Sequence, residues 1–126
     1  MAKRVSALLL ALLLLTAGTA NAGGVYYEIF PSSYRDTDGD GVGDLAGVTA
    51  SAAYLQSLGV NGIWLTPFFS GASYHKYDVL DYQSVDPSLG TLEDFDALAG
   101  EYHARGMRVM LDLVINHTSN EHPWFR

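Results

Sequence analysis

The chain has 126 residues, of which 48% are hydrophobic, so it can build a packed core and does not have the composition of a disordered polypeptide. Its formal net charge of −7 offers no basic face to phosphates, which argues against nucleic acid as a partner. It contains no cysteine, which excludes disulfides, a thiolate nucleophile and a cysteine-ligated zinc.

The N-terminal segment has the features of a secretory signal. Lys3 and Arg4 provide the positive start, residues 7–15 form an unbroken apolar run, and residues 20–22 (Ala-Asn-Ala) offer the small side chains of a cleavage site. A membrane span needs about 20 apolar residues, and this run is shorter. The sequence therefore predicts a signal peptide at 1–22 and a mature chain that is secreted, extracellular or periplasmic, with no membrane attachment after cleavage.

Strand-like and helical patterns alternate along the mature chain. Residues 25–30 are rich in β-branched and aromatic residues and predict a strand. A helix follows, indicated by apolar residues at helical spacing and ended by a glycine: Leu45, Val48, Ala52, Leu55, Leu58 and Gly59. Residues 62–65 predict a second short strand.

A second helix and a third strand complete the pattern. Thr91 and Asp94 have the spacing of a capping box at the start of the helix, and Gly106 ends it. Residues 107–115 then form a strand that is apolar on both faces, which is typical of a parallel sheet covered on both sides.

The order strand-helix-strand-helix-strand predicts a parallel α/β fold. Two architectures fit, a doubly wound sheet and a (β/α)8 barrel. No Gly-x-Gly-x-x-Gly follows the first strand, which weakens the dinucleotide-binding alternative. A TIM barrel takes about 250 residues. We therefore expect a partial (β/α)8 barrel, its first three strands and two helices, preceded by the signal peptide.

An acidic loop follows the first strand and predicts a Ca²⁺ site. Carboxylates at alternate positions, separated by glycines, are the hard oxygen donors that wrap around Ca²⁺; Mg²⁺ keeps more water and fits less well. The expected ligands are Asp36, Asp38, Asp40, Asp44 and the backbone carbonyl of Val42. The loop is not an EF-hand, since its twelfth position is Gly47 and a strand precedes it. The alternative is a solvated acidic turn.

Four stretches in order resemble the start of α-amylase family (glycoside hydrolase family 13) barrels. They are YYEIFPSSYRDTDGDGVGDLAGV, LGVNGIWLTPFF, SYHKYDVLDYQSVDPSLGTLEDF and GMRVMLDLVINHTSNEHPWF. The resemblance covers nearly all of residues 23–126, which it identifies as the N-terminal part of a catalytic barrel, and it is nearest to bacterial enzymes with an early Ca²⁺ loop.

The resemblance implies roles for residues after the third strand and before the second helix. Asp112 is expected to hold the catalytic constellation in place, and His117 to hydrogen-bond a sugar. Tyr77 is expected to stack under that sugar, with His75 as a supporting residue. Asn116 is a less favoured ligand for a second Ca²⁺, and it also begins an N-glycosylation sequon.

The resemblance also marks one departure and one absence. Family members commonly have glycine at the position of Lys76, so a long charged side chain is expected to alter the mouth of the site. The family's nucleophile, acid/base and third acid lie on barrel strands four, five and seven. No residue up to Arg126 can be assigned to them, and the 126-residue chain alone is expected to be inactive.

The function implied for the whole protein is a secreted, retaining glycoside hydrolase that acts on an α-glucan or maltooligosaccharide. One alternative is a catalytically silent relative that binds carbohydrate or another protein. A second is a Ca²⁺-binding structural module that only resembles the barrel enzymes.

Overall fold

The computed structural model describes residues 23–125, so the predicted signal peptide lies outside the described residues. Besides two single-turn 3₁₀ helices at Pro31–Ser33 and Pro123–Phe125, the elements are, in chain order, β1 (Tyr26–Ile29), α1 (Leu45–Ala50), α2 (Ala52–Ser57), β2 (Gly62–Leu65), β3 (Phe69–Gly71), β4 (Val79–Val85), α3 (Leu92–Ala104) and β5 (Arg108–Leu111). Among these elements, no helix has both the length and the apolar character needed to cross a bilayer.

A three-stranded parallel sheet forms the centre, in the order β1-β2-β5. Tyr26 pairs with Gly62, which in turn pairs with Arg108, and both ladders continue in this register. The predicted parallel arrangement of the three strands is confirmed. Its carboxyl ends therefore meet at one edge, which is where parallel α/β folds place their ligands.

One face of the sheet packs against the helices. Alternate strand residues point to this side, as the two-residue period requires. The buried core comprises Ile29, Leu45, Val48, Ala52, Leu55, Val60, Ile63, Leu65, Phe68, Val85, Leu89, Leu98, Tyr102 and Met107. The Tyr102 hydroxyl donates to the carbonyl oxygen of Val48 over 2.9 Å, which fixes α3 against α1.

The opposite face is open within residues 23–125, as expected of a partial barrel, because in a complete (β/α)8 barrel this face lies toward the interior. Glu28, Trp64 and Met110 lie in one row across the three strands. Trp64 is 37% exposed and Met110 is 44% exposed. The third predicted strand, β5, is also shorter than predicted: it ends at Leu111, the Asp112 N–H makes one further bond to Leu65, and residues 113–115 lie outside the ladder.

The first predicted helix is divided into two. The break lies at Ser51, whose N–H bonds to Val48 three residues back instead of four. The Ser51 hydroxyl donates to the carbonyl oxygen of Gly47 over 2.9 Å, a local bond that competes with regular helix geometry. Gly59 ends the second half with φ +81°, as predicted.

The second predicted helix is confirmed with its capping box at Thr91 and Asp94. Gly106 follows its end with φ +71°. Between β2 and this helix lies an element that the sequence patterns did not predict, an antiparallel hairpin of β3 and β4. The Asp86 N–H donates to the carbonyl oxygen of Phe68 over 2.9 Å and closes the base of the hairpin.

Candidate functional site

Asp112 lies at the carboxyl edge of the sheet, directly after β5. Its N–H continues the ladder by donating to the carbonyl oxygen of Leu65 over 3.0 Å. Its carboxylate accepts hydrogen bonds from two aromatic side chains, Trp64 Nε1 at 2.7 Å and the Tyr77 hydroxyl at 2.5 Å. The carboxylate is thus fixed by both of its oxygens.

Tyr77 lies in the loop between β3 and β4 and joins that loop to the sheet edge. The hydrogen bond to Asp112, with burial and the carboxylate charge, raises the pKa of the Tyr77 hydroxyl to about 12. The side chain is 39% exposed, so part of its ring remains accessible. An aromatic ring held by its hydroxyl in this way offers apolar area to the C–H face of a sugar.

Two histidines contact Tyr77 through its backbone. His117 Nε2 lies 3.0 Å from the carbonyl oxygen of Tyr77 and must be the donor, because a carbonyl oxygen only accepts. The Tyr77 N–H points at His75 Nδ1, 3.1 Å away. The expected substrate-binding residues Tyr77, Asp112, His117 and His75 are therefore linked in one continuous network.

Three of these four residues line an open cleft. Its volume is about 310 Å³, and its lining is Tyr77, Asp112, Leu113, Val114, Ile115, Asn116 and His117. Asn116 is exposed, and its side-chain amide lies 3.3 Å from His117 Nδ1. The cleft combines apolar walls with a few hydrogen-bonding groups, the composition typical of small-ligand sites.

Contrary to the expectation from the sequence, the Lys76 side chain does not extend into the mouth of this site. Its Nζ lies 2.7 Å from Asp86 Oδ2, and the side chains are only 11% and 10% exposed. Burial acts to raise the pKa of Asp86, but hydrogen bonds from Lys76 and Ser88 outweigh it and leave that pKa below its usual value. The charge is thus directed into the hairpin because it has a buried partner there.

The acidic loop brings three of its predicted ligands together. One carboxylate oxygen from each of Asp36, Asp38 and Asp40 lies within 4.8 Å of the others. Gly39 and Gly41 have φ of +85° and +92°, which is the left-handed conformation that the tight loop requires. Three hard oxygen donors converge on one point, so the loop's chemistry fits Ca²⁺.

The loop is held in this shape by its own backbone. Asp36 accepts hydrogen bonds from the N–H groups of Gly39 and Gly41 at 2.7 and 2.9 Å, and these lower the pKa of its carboxyl. The Val42 N–H donates to Asp40 over 2.7 Å, while the Val42 side chain packs against the core. Val42, whose backbone carbonyl was predicted as a ligand, therefore anchors the end of the loop through its N–H and its side chain.

Asp44 lies outside the cluster of three carboxylates. One of its oxygens accepts from the Gly47 N–H at 2.6 Å, which makes Asp44 the N-cap of α1. The other oxygen accepts from both the N–H and the hydroxyl of Thr37, each at 2.8 Å. Burial acts to raise the pKa of Asp44, but these hydrogen bonds outweigh it and lower the pKa. The structure therefore gives Asp44 a capping role that the sequence interpretation did not include.

Two aromatic residues of the site were missed from the sequence. Trp64 holds Asp112, and the Tyr82 hydroxyl lies within hydrogen-bonding distance of the carbonyl oxygens of Val114 and His117, at 2.6 and 3.0 Å. Trp64 alternates with two buried residues in β2, so its side chain had to face away from the helices. The alternation in β2 could therefore have identified Trp64 from the sequence. The contacts of Tyr82, in contrast, depend on the hairpin, which was not predicted.

Comparisons with known proteins agree with this architecture. The family described as "Alpha amylase, catalytic domain" matches residues 28–126. The chain is 54% identical over 104 residues to a probable alpha-glucosidase of Rhizobium meliloti, covering 82% of this chain and 19% of that protein. It is 51% identical over 104 residues to trehalose-6-phosphate hydrolase of Escherichia coli, with the same coverage.

A solved structure gives the same result. The alpha-amylase from H. orenii superposes with a TM-score of 0.78 at 53% identity, covering 81% of this chain and 22% of the amylase. The chain thus spans about a fifth of the length of the relatives that it matches. The family match covers almost all of the residues that form the sheet, the acidic loop and the cleft, and the chain therefore belongs to the α-amylase catalytic-domain family.

Proposed function

We propose that this chain is the N-terminal part of a secreted, retaining glycoside hydrolase that acts on an α-glucan or maltooligosaccharide. The observation that carries the proposal is the network at the carboxyl edge of the sheet. There, Asp112 accepts hydrogen bonds from Trp64 and Tyr77, and His117 contacts the Tyr77 backbone. Membership of the α-amylase catalytic-domain family supports the reaction class.

In this proposal the residues of the cleft bind and orient a sugar. The exposed part of the Tyr77 ring supplies a stacking surface, and the fixed carboxylate of Asp112 keeps that ring in place. His117 lies at the same cleft with its ring oriented by the Tyr77 carbonyl. A retaining mechanism needs a nucleophilic carboxylate and an acid/base carboxyl about 5–5.5 Å apart, and we assign neither role to any residue described here.

Ca²⁺ is the proposed cofactor of the acidic loop. Asp36, Asp38 and Asp40 would hold it, since their oxygens already converge and repel one another without a cation. When bound, the ion would neutralise this charge and stabilise the segment between β1 and α1. The second proposed ion, at Asn116, rests on the family resemblance alone.

Secretion is proposed from the residues before the fold. The positive start, the apolar run and the small residues at 20–22 together favour a cleaved signal. N-terminal sequencing of the protein recovered from a culture medium or periplasm tests this directly. A mature chain that begins at Gly23 supports the proposal, whereas an intact Met1 overturns it.

The deciding experiment is to read the gene beyond codon 126 and assay its full-length product on maltopentaose and soluble starch. We expect an in-frame continuation that supplies the nucleophile and acid/base, and products whose anomeric configuration is that of the substrate. A stop codon directly after Arg126, or inversion of the anomeric centre, would contradict the proposal. Binding of maltopentaose without cleavage would instead favour a catalytically silent carbohydrate-binding relative.

A further inference from the structure

Lys76 has an unusual backbone conformation. Its φ is +60°, and within residues 23–125 it is the one non-glycine residue with positive φ. Long side chains disfavour this left-handed region, because the Cβ atom crowds the carbonyl oxygen. The positive φ of Lys76 is therefore maintained by other contacts, and its side chain makes them.

The Lys76 ammonium group connects its own loop to the end of β3 and to the residue that follows β4. It pairs with Asp86, just after β4, at 2.7 Å, and it donates to the carbonyl oxygen of Gly71, at the end of β3, over 3.3 Å. Asp86 is itself oriented by the N–H and hydroxyl of Ser88. A nearly buried ion pair with several satisfied hydrogen bonds has a defined geometry, unlike an exposed pair.

This ion pair lies next to the residues of the cleft. Lys76 separates His75 from Tyr77, so the position of its Cα determines where both neighbours point. Tyr77 makes its contacts to Asp112 and His117 directly after Lys76 in the chain. A loop that relaxed to negative φ at residue 76 would move the Tyr77 hydroxyl away from Asp112 and the Tyr77 carbonyl oxygen away from His117.

We propose that Lys76 is a positioning residue, which through its ion pair with Asp86 holds the loop in the conformation that places Tyr77 on Asp112. The expected effect of Lys76 on catalysis rests on the proposed glycosidase function. Its effect on the Tyr77–Asp112 hydrogen bond does not, so the two effects can be measured separately.

The structural measurement uses Trp64, which donates to the other oxygen of Asp112. The full-length gene product is labelled with 5-fluorotryptophan, and the Trp64 resonance is assigned with Trp64→Phe. We expect Lys76→Met, which removes the ammonium group and does not favour positive φ as glycine would, to move this ¹⁹F resonance to the position found in Tyr77→Phe, because both changes remove the Tyr77 hydrogen bond from Asp112. Lys76→Arg should stay at the wild-type position. A wild-type resonance in Lys76→Met would overturn the proposal.

Two further variants control for general effects on the fold. Glu101→Gln removes the half-exposed ion pair with Arg105 on α3, remote in sequence from the loop, and should leave the Trp64 resonance unchanged. Lys76→Met leaves Asp86 without its cation, so the double variant Lys76→Met/Asp86→Asn is the alternative if the single variant does not fold. The double variant should show the same displaced resonance, and a wild-type position would again contradict the proposal.

The kinetic measurement separates positioning from stability. A misplaced binding group lowers kcat/KM about tenfold to a hundredfold, so we expect a loss of this size for Lys76→Met on maltopentaose and recovery in Lys76→Arg. In the Tyr77→Phe background, where the hydrogen bond to Asp112 is already absent, Lys76→Met should cause a smaller loss. An equal loss in both backgrounds would show that Lys76 acts by another route. If the wild-type protein cleaves no maltopentaose, the proposed function fails and the ¹⁹F result alone decides the role of Lys76.

Discussion

Two glycines in helices have opposite surroundings, which makes their replacement by alanine a sharp test of the packing. A Cβ atom on Gly47, in α1, would lie 2.2 Å from the backbone carbonyl oxygen of Arg35 and 2.9 Å from the Arg35 Cβ. A Cβ atom on Gly100, in α3, would have no neighbour within 4 Å. The same substitution thus creates a steric clash with backbone atoms in α1 and no clash in α3.

The expected magnitudes follow from this geometry. Replacing an exposed helical glycine by alanine stabilises by about 0.5–1 kcal/mol, which is our expectation for Gly100→Ala. For Gly47→Ala, overpacking costs about 1–3 kcal/mol. Moving Arg35 away also strains the hydrogen bond that its carbonyl oxygen accepts from Asp44, worth about 0.5–1.5 kcal/mol. After the helical gain is subtracted, we expect Gly47→Ala to destabilise by about 0.5–4 kcal/mol.

Hydrogen exchange followed by mass spectrometry measures these effects locally in the full-length gene product. Gly47→Ala should accelerate exchange in peptides that cover α1, by roughly tenfold for each 1.4 kcal/mol lost. Gly100→Ala should slow exchange in α3 or leave it unchanged. Equal protection of α1 in wild type and Gly47→Ala would refute the close approach of α1 to Arg35.

Four further outcomes test other parts of the structure. Tyr102→Phe removes the buried hydrogen bond to the Val48 carbonyl oxygen, which still accepts from the Ser51 N–H, and should destabilise by about 0.5–1.5 kcal/mol in urea unfolding; no change in midpoint would contradict the Tyr102 bond. Asp44→Ala in excess chelator should destabilise by about 0.5–2 kcal/mol through loss of the helix cap, and Asp44→Asn by less, whereas equal effects would argue against capping. Because the folded pKa of Asp86 lies below its ordinary value of 3.8, its contribution is present above that pH and is lost as the pH falls through the folded value. Acid unfolding of Asp86→Asn should accordingly depend less on pH below about 4 than that of wild type. Chelation should lower the Tm of the wild type but not that of a variant with Asp36, Asp38 and Asp40 all changed to Asn, and the Ca²⁺ proposal fails if both respond alike.

The parallel sheet and the long helix could be predicted from the sequence because their signals are local. Thr91 and Asp94 form the expected capping box, and Gly59 and Gly106 have the left-handed φ that the helix ends require. The family resemblance, with its four ordered motifs, was confirmed by the match over residues 28–126. These features depend on residues that are close in the chain or on patterns that span it.

The features that escaped prediction depend on contacts that the local sequence patterns do not show. The β3–β4 hairpin has irregular register and no simple alternation, because its pairing shifts on both sides of Ser70. The inward turn of Lys76 depends on Asp86, ten residues further along the chain. The break at Ser51 depends on a hydroxyl bond that competes with the helix. In the hairpin and at Lys76 the tertiary partner outweighed the local pattern, whereas at Ser51 a competing local hydrogen bond did.

The closed base of the hairpin has a consequence for how this scaffold can change. Residues 68 and 86 are joined by one backbone hydrogen bond, so the chain leaves the sheet and returns at almost the same place. Everything between them, including Lys76 and Tyr77, forms a cassette whose internal ladder does not belong to the parallel sheet. Such a cassette can be exchanged between relatives, together with its own ion pair, and the contacts that have to be matched outside it are those to Asp112, Val114 and His117.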